Sequence, residues 1–147
     1  MPGIVVGIDG SAHSRGVLEW AMREAGVRRE PLTVFTVQPA VKNAWGGSLL
    51  FPGDEELRAK AWEAAREAAE KISARLGPAG PPSFTVRAAI GAPAALLIAA
   101  SRDADLLVVG SRGAGGFVRL MMGSVSSQVA HHAVCPIVVV PDGRTAR

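Results

Sequence analysis

Five short runs of apolar, largely β-branched residues punctuate this chain, and the segments between them read as helices. That alternation restricts the fold more than any other feature. The runs are Gly3 to Asp9, Leu32 to Val37, Phe84 to Ile90, Asp105 to Gly110 and Pro136 to Val140. Between the first two, Val17, Leu18, Ala21, Met22 and Ala25 recur at helical spacing, with Ser11 or Ser14 as candidate N-caps. Asp54 to Leu76 carries Leu57, Ala61, Ala64, Ala65, Ala68, Ile72 and Leu76 on one side, which predicts an amphipathic helix stopped by Gly77-Pro78. Gly91-Ala92-Pro93 opens a helix through about Ala100, and Ser124 to about Ala133 reads as the last one. Phe84, Val86, Ala88 and Ile90 alternate with more polar neighbours, the pattern of an edge strand.

Buried apolar strands joined by helices require a parallel sheet, because parallel neighbours need crossover connections. With every crossover right-handed, the economical solution is a doubly wound, Rossmann-like α/β fold. Its five parallel strands take the order 3-2-1-4-5, with helices on both faces. Ligands in such sheets bind beyond the carboxyl ends of the strands, where the winding direction reverses. Here that crevice lies between the first and fourth strands, walled by Asp9-Gly10-Ser11 and by the loop that starts at Gly110. Residues 39–53, with two prolines, three glycines and Trp45 but no period, read as a long loop.

The 147 residues suit a single domain, 1–147, with enough chain to bury a core without staples. Lys and Arg number 16 against 13 acids, a surplus of three. That surplus favours small anions and is too diffuse for a nucleic-acid footprint. The longest strongly apolar stretch, Ala94 to Ala100, is far short of the roughly 20 residues of a bilayer span. Met1-Pro2-Gly3-Ile4 has no secretory pattern, so a cytoplasmic protein without membrane contact is expected. A lone cysteine, Cys135, excludes an internal disulfide framework and any cysteine-rich zinc site.

The segment richest in chemistry is Gly110-Ser111-Arg112-Gly113, followed after nine residues by Gly123-Ser124. Glycines after a buried strand let the backbone approach a ligand closely. The loop ends at Gly123-Ser124-Val125-Ser126, the expected start of a helix. The first N–H groups there lack intrahelical partners and favour an anion such as phosphate, with the Ser124 and Ser126 hydroxyls as further donors. The spacing Gly-x2-Gly-x9-Gly-Ser resembles the ATP-binding subgroup of the universal stress protein family. The likeness extends to Val5-Val6-Gly7-Ile8-Asp9-Gly10-Ser11, Gly91-Ala92-Pro93 and Cys135-Pro136-Ile137-Val138-Val139-Val140.

The resemblance implies a small module that binds ATP or a related adenine nucleotide and acts by occupancy. Asp9 would sit by the sugar or by a Mg2+ or Mn2+ ion held with the phosphates. Backbone groups near Val37 would read the adenine edge. Gly110 and Gly113 would permit close approach, and Gly123, Ser124, Val125 and Ser126 would hold the phosphates. A homodimer through Pro136–Val140 is implied, in keeping with the tendency of an uncovered apolar edge strand to pair. Gly7 departs from the proline found in some members.

Two other functions compete with this one. A slow ATPase would use Asp9 and a divalent cation, although the Gly-x4-Gly-Lys-Ser/Thr loop is absent. A nucleotide-free dimeric interaction protein would not need the glycine spacing. Asp9 is equally suited to closing the turn after the first strand, and Ser124 to capping its helix. Arg112 and Arg119 either screen phosphate or are solvated. His13 is expected in the first loop, at the surface or visiting the site, and His131 and His132 at a helix C-terminus. Cys135 reads as a small core residue. Trp20 and Trp62 read as packing residues, whereas Trp45 could cover a bound base.

Overall fold

The computed structural model describes residues 1–39, 41–42, 48–49, 53–111 and 123–141. In chain order these form β1 (Ile4–Ile8), α1 (Ala12–Arg28), β2 (Leu32–Pro39), β3 (Val41–Lys42), β4 (Ser48–Leu49), α2 (Asp54–Leu76), β5 (Phe84–Gly91), α3 (Pro93–Ala100), β6 (Leu106–Gly110), α4 (Ser124–His132) and β7 (Ile137–Val140). The main sheet is wholly parallel in the order β5-β2-β1-β6-β7. Counting only its own five strands, that is the expected 3-2-1-4-5.

Strand alternation explains the layers. Successive side chains point to opposite faces, and both faces of the central strands are covered, so both sets are apolar. Ile4 and Val6 of β1 and Leu32 and Val34 of β2 pack with Val17, Leu18, Ala21 and Met22 of α1 and with Ala69 and Ile72 of α2. Their neighbours Val5, Phe35 and Val37 face the other way, with Leu107, Val109, Leu97 of α3 and Val129 of α4. The outer strands β5 and β7 are half-buried or exposed throughout, as sheet edges should be. Trp62 fastens α2 over β5, its Nε1–H donating to the Val86 carbonyl at 2.9 Å.

Three local features depart from the sequence reading. Residues 39–53 were expected as a loop, yet Val41–Lys42 pairs antiparallel with Ser48–Leu49. Strands of two residues are too short to display a period. Gly123, not Ser124, occupies the N-cap of α4, with extended backbone (φ −65°, ψ 164°), and Ser124 is the first helical residue. Glycine is an acceptable N-cap, and the helix starts one residue earlier than Ser124 as the cap would have placed it. At α1, Ser11 holds the N-cap position but its hydroxyl makes no capping bond, while the Ser14 hydroxyl donates to the Ser11 carbonyl at 2.7 Å.

α1 ends at Arg29, whose φ of 55° and ψ of 44° are left-handed, with its N–H donating to Gly26 O at 3.3 Å. Gly26 lies against a 3-10 turn at Gly77–Ala79, where a Cβ would come within 2.1 Å of the Ala79 carbonyl oxygen. Only glycine allows that approach. Among the described residues no helix is long and apolar enough to cross a membrane.

Candidate functional site

β1 and β6 are the neighbours between which the winding reverses. Their register pairs Val6 with Val108, so carrying it three residues further brings Asp9 level with Ser111. Asp9 closes the turn beyond β1: its Oδ1 accepts the Ser11 N–H at 2.9 Å, and Gly10 supplies the φ of 83°. A carboxylate has a second oxygen, so the turn role leaves Asp9 able to meet a ligand as well.

Hydrogen bonds tie Ser111, just beyond β6, to β7 and to the start of α4. The Ser111 N–H donates to Val140 O at 2.9 Å, and the Gly123 N–H donates to Ser111 O at 2.6 Å. The first intrahelical bond runs from the Ser127 N–H to Gly123 O at 2.9 Å. The N–H groups of Ser124, Val125 and Ser126 therefore precede the first intrahelical donor. The first turn of α4 carries no acid and His131 and His132 stand at its other end, a distribution that leaves the N-terminal pole positive.

The serines of that turn are not alike. Ser124 is exposed, whereas Ser126 is 2% exposed and its hydroxyl donates to Gly123 O at 3.1 Å. Ser126 thus braces the cap, and its main chain rather than its hydroxyl belongs to the donor set. Val125 is half-buried and packs on the α3–α4 core.

Val37 is 4% exposed, with its side chain in that same core. Pairing of β1 with β2 ends at Ile8 and Thr36, while β5 follows β2 to Pro39. Beyond Thr36, β2 therefore has an open backbone edge on the β1 side. Gly110 stands at the end of β6, where a Cβ would lie 2.9 Å from both His13 Nε2 and Val17 Cγ2. Its lack of a side chain is accounted for by the packing of α1.

His13 was expected at the surface of a loop. It is instead half-buried in the first turn of α1, against Gly110. The available signal was the spacing His13, Val17, Ala21, a continuation of the buried helical stripe. Gly113, Arg112 and Arg119 lie outside the described residues, as do Gly115, Gly116 and Trp45. Among the described residues no group of three or more His, Cys, Asp or Glu side chains could hold a metal ion. Cys135 is half-buried on the α3–α4 core, and burial pushes its thiol above the usual range, which makes it a poor nucleophile at neutral pH.

Comparison with known proteins finds the sequence profile of the universal stress protein family matching residues 2–141. A universal stress protein of Mycobacterium tuberculosis is 37% identical over 145 residues, covering 95% of this chain and 48% of the relative. One from Mycolicibacterium smegmatis is 36% identical over 141 residues, covering 94% and 47%. The chain thus spans about half the length of the curated relatives it matches. Among solved structures, the universal stress protein UspA from Lactobacillus plantarum superposes with a TM-score of 0.75 at 22% identity, covering 95% of this chain and 97% of that one. A universal stress protein in complex with cAMP gives 0.67 at 26% identity, covering 96% and 97%.

Proposed function

Since the chain belongs to the universal stress protein family, we propose that it is an adenine-nucleotide-binding stress-response module acting by occupancy rather than turnover. One observation carries this reading. The β1–β6 register, carried past Val6 and Val108, sets the Asp9 turn level with Ser111, whose carbonyl accepts the Gly123 N–H of the α4 cap. In the proposed mode the phosphates take the main-chain N–H groups of Ser124, Val125 and Ser126, with Gly123 admitting them closely. The sugar, or a Mg2+ or Mn2+ ion brought with the phosphates, meets Asp9. The adenine edge runs along the open backbone of β2 near Val37. Gly110 and Gly113 flank the ligand from the β6 side. The relative solved with cAMP supports an adenine nucleotide as the class, and ATP is the form proposed.

Occupancy is preferred to catalysis because one carboxylate and a nucleotide-held cation would sustain only slow hydrolysis. A cytoplasmic location and a homodimer through β7 belong to the same reading. Ligation would stabilise the fold by roughly 2.7 kcal/mol at a hundredfold excess over Kd. The test is thermal unfolding with and without ATP, in wild type and in Gly123→Val, whose backbone angles a valine can adopt. ATP should raise the wild-type Tm and leave the variant unmoved. An equal rise in the variant, or none in wild type at millimolar ATP, overturns the assignment. Phosphate release from wild type and Asp9→Ala then separates slow hydrolysis at this site from none.

A further inference from the structure

The amphipathic stripe of α2 begins at Leu57, yet its buried residues begin only at Ala65. Leu57 is 45% exposed, and Ala61 and Ala64 are half-buried and exposed. The missing contact is a cavity of about 300 Å³ between the first turns of α1 and α2. Its apolar walls include Leu18 and the methyl groups of Ala61, Ala64, Ala65 and Ala68. Its polar groups come from Ser11, Thr36 and Gln38, and two exposed cations, Arg15 from α1 and Lys60 from α2, border it. No carboxylate is among the described residues that line it, and neither cation is ion-paired among them. The Ser11 Oγ is buried with no hydrogen-bond partner among the described residues.

We propose that this cavity is a second ligand site, for a small organic anion with a flat apolar body such as an aryl carboxylate or aryl phosphate. Each part of the ligand has its counterpart. A wall of alanine methyls on one helix face is broad and shallow, which suits a planar ring. Arg15 and Lys60 supply the charge without a competing acid. Ser11 Oγ supplies a hydrogen bond that no described residue makes with it, and satisfying such a group is favourable. The site is separate from the α4 cap. Ile8, Thr36 and Gln38 alternate along their strands with residues of the opposite face, where α3 and α4 pack.

The test is a titration of the full 15N-labelled chain with phenyl phosphate and with benzoate, benzyl alcohol serving as the uncharged control, each without and with saturating ATP. Saturable amide shifts should cluster at Ser11, Ser14, Arg15, Lys60 and Ala64 and persist with ATP present. Arg15→Gln with Lys60→Gln should weaken both anions about tenfold, equivalent to roughly 1.4 kcal/mol, and leave benzyl alcohol unaffected. Ser11→Ala should weaken them without loss of Tm. Shifts confined to Gly123–Ser126, equal affinity in the double variant, or no saturable shift at all would overturn the proposal. A chain that binds phenyl phosphate here but never binds ATP removes the nucleotide reading and leaves this one standing.

Discussion

Two glycines in α1 make a controlled experiment on how this helix is seated. Gly16 is exposed and a Cβ there meets nothing within 4 Å. Gly16→Ala should therefore express the intrinsic preference alone, a gain of about 0.5–1 kcal/mol. Gly26→Ala offers a similar or, near the helix end, smaller intrinsic gain, but its Cβ would lie 2.1 Å from Ala79 O, 2.8 Å from Gly80 O and 2.9 Å from Ala79 C. Those are main-chain atoms and cannot rotate aside. Restoring ordinary contact requires α1 and the turn after α2 to part by about 1 Å, an overpacking cost of roughly 1–3 kcal/mol. The two substitutions should consequently act with opposite signs. At about 3 °C per kcal/mol for a chain of this size, Gly16→Ala should melt a few degrees higher than wild type and Gly26→Ala several degrees lower. Urea unfolding followed by Trp20, which packs on the same core, gives the free energies directly. A Gly26→Ala protein as stable as wild type would refute the packing of α1 on the Gly77–Ala79 turn.

Glu19 of α1 is held down to about 2 by hydrogen bonds from Arg75 of α2 first and Arg23 second. A depressed carboxylate stabilises the fold above its unfolded value near 4.5, and that contribution is lost as pH falls through about 2. Glu19→Gln should cost about 0.5–1 kcal/mol at pH 7, and its stability curve should begin to approach wild type below pH 4.5 and meet it near pH 2, as acid denaturation would show. Arg29→Gly should raise stability by about 0.5–1 kcal/mol in the same unfolding assay, because only the arginine pays the left-handed strain at the end of α1. Along β7 the carbonyls of Pro136, just before it, and Val140, at its end, accept the N–H groups of Leu107 and Ser111. The main chain of Ile137 and Val139 therefore points to the open edge, and Val139→Pro should reduce the proposed β7-paired dimer to a folded monomer by sedimentation, with a lower Tm because the Val139 side chain also packs on the α3–α4 core.

The central strands were legible because they are buried on both faces, which writes them as unbroken apolar runs. The C-terminal end of α2 was legible because Gly77-Pro78 forbids continuation. What escaped the sequence was what depends on a partner. β3 and β4 define each other and carry no period of their own. Gly123 and Ser124 are both acceptable N-caps, so sequence alone could not place the first turn of α4. The α2 stripe looked uniformly apolar from Leu57 onward, and nothing in it says that α1 covers only the later turns. Gly110 read as a point of close approach to a ligand, and the sequence did not show the second reason for glycine there, the packing of His13 and Val17 against it.

The packing at Gly110 sharpens the proposed site. At the carboxyl edge the strand faces divide the space into two floors, one under α1 and α2, the other under α3 and α4. On the α1 side of β6, His13 and Val17 already fill the position over Gly110. An anion at the β1–β6 crevice is therefore directed to the other floor, where the cap of α4 presents its N–H groups. Further along the same edge, over β2, no described residue takes the place that His13 holds over β6, and the described residues leave the α1–α2 floor as the cavity beside Ser11. Replacing His13 by alanine should join the two spaces. If the crevice and the cavity are separate sites, that variant should let phenyl phosphate shift the amides of both Ser11 and Ser111, whereas in the wild type Ser111 stays still.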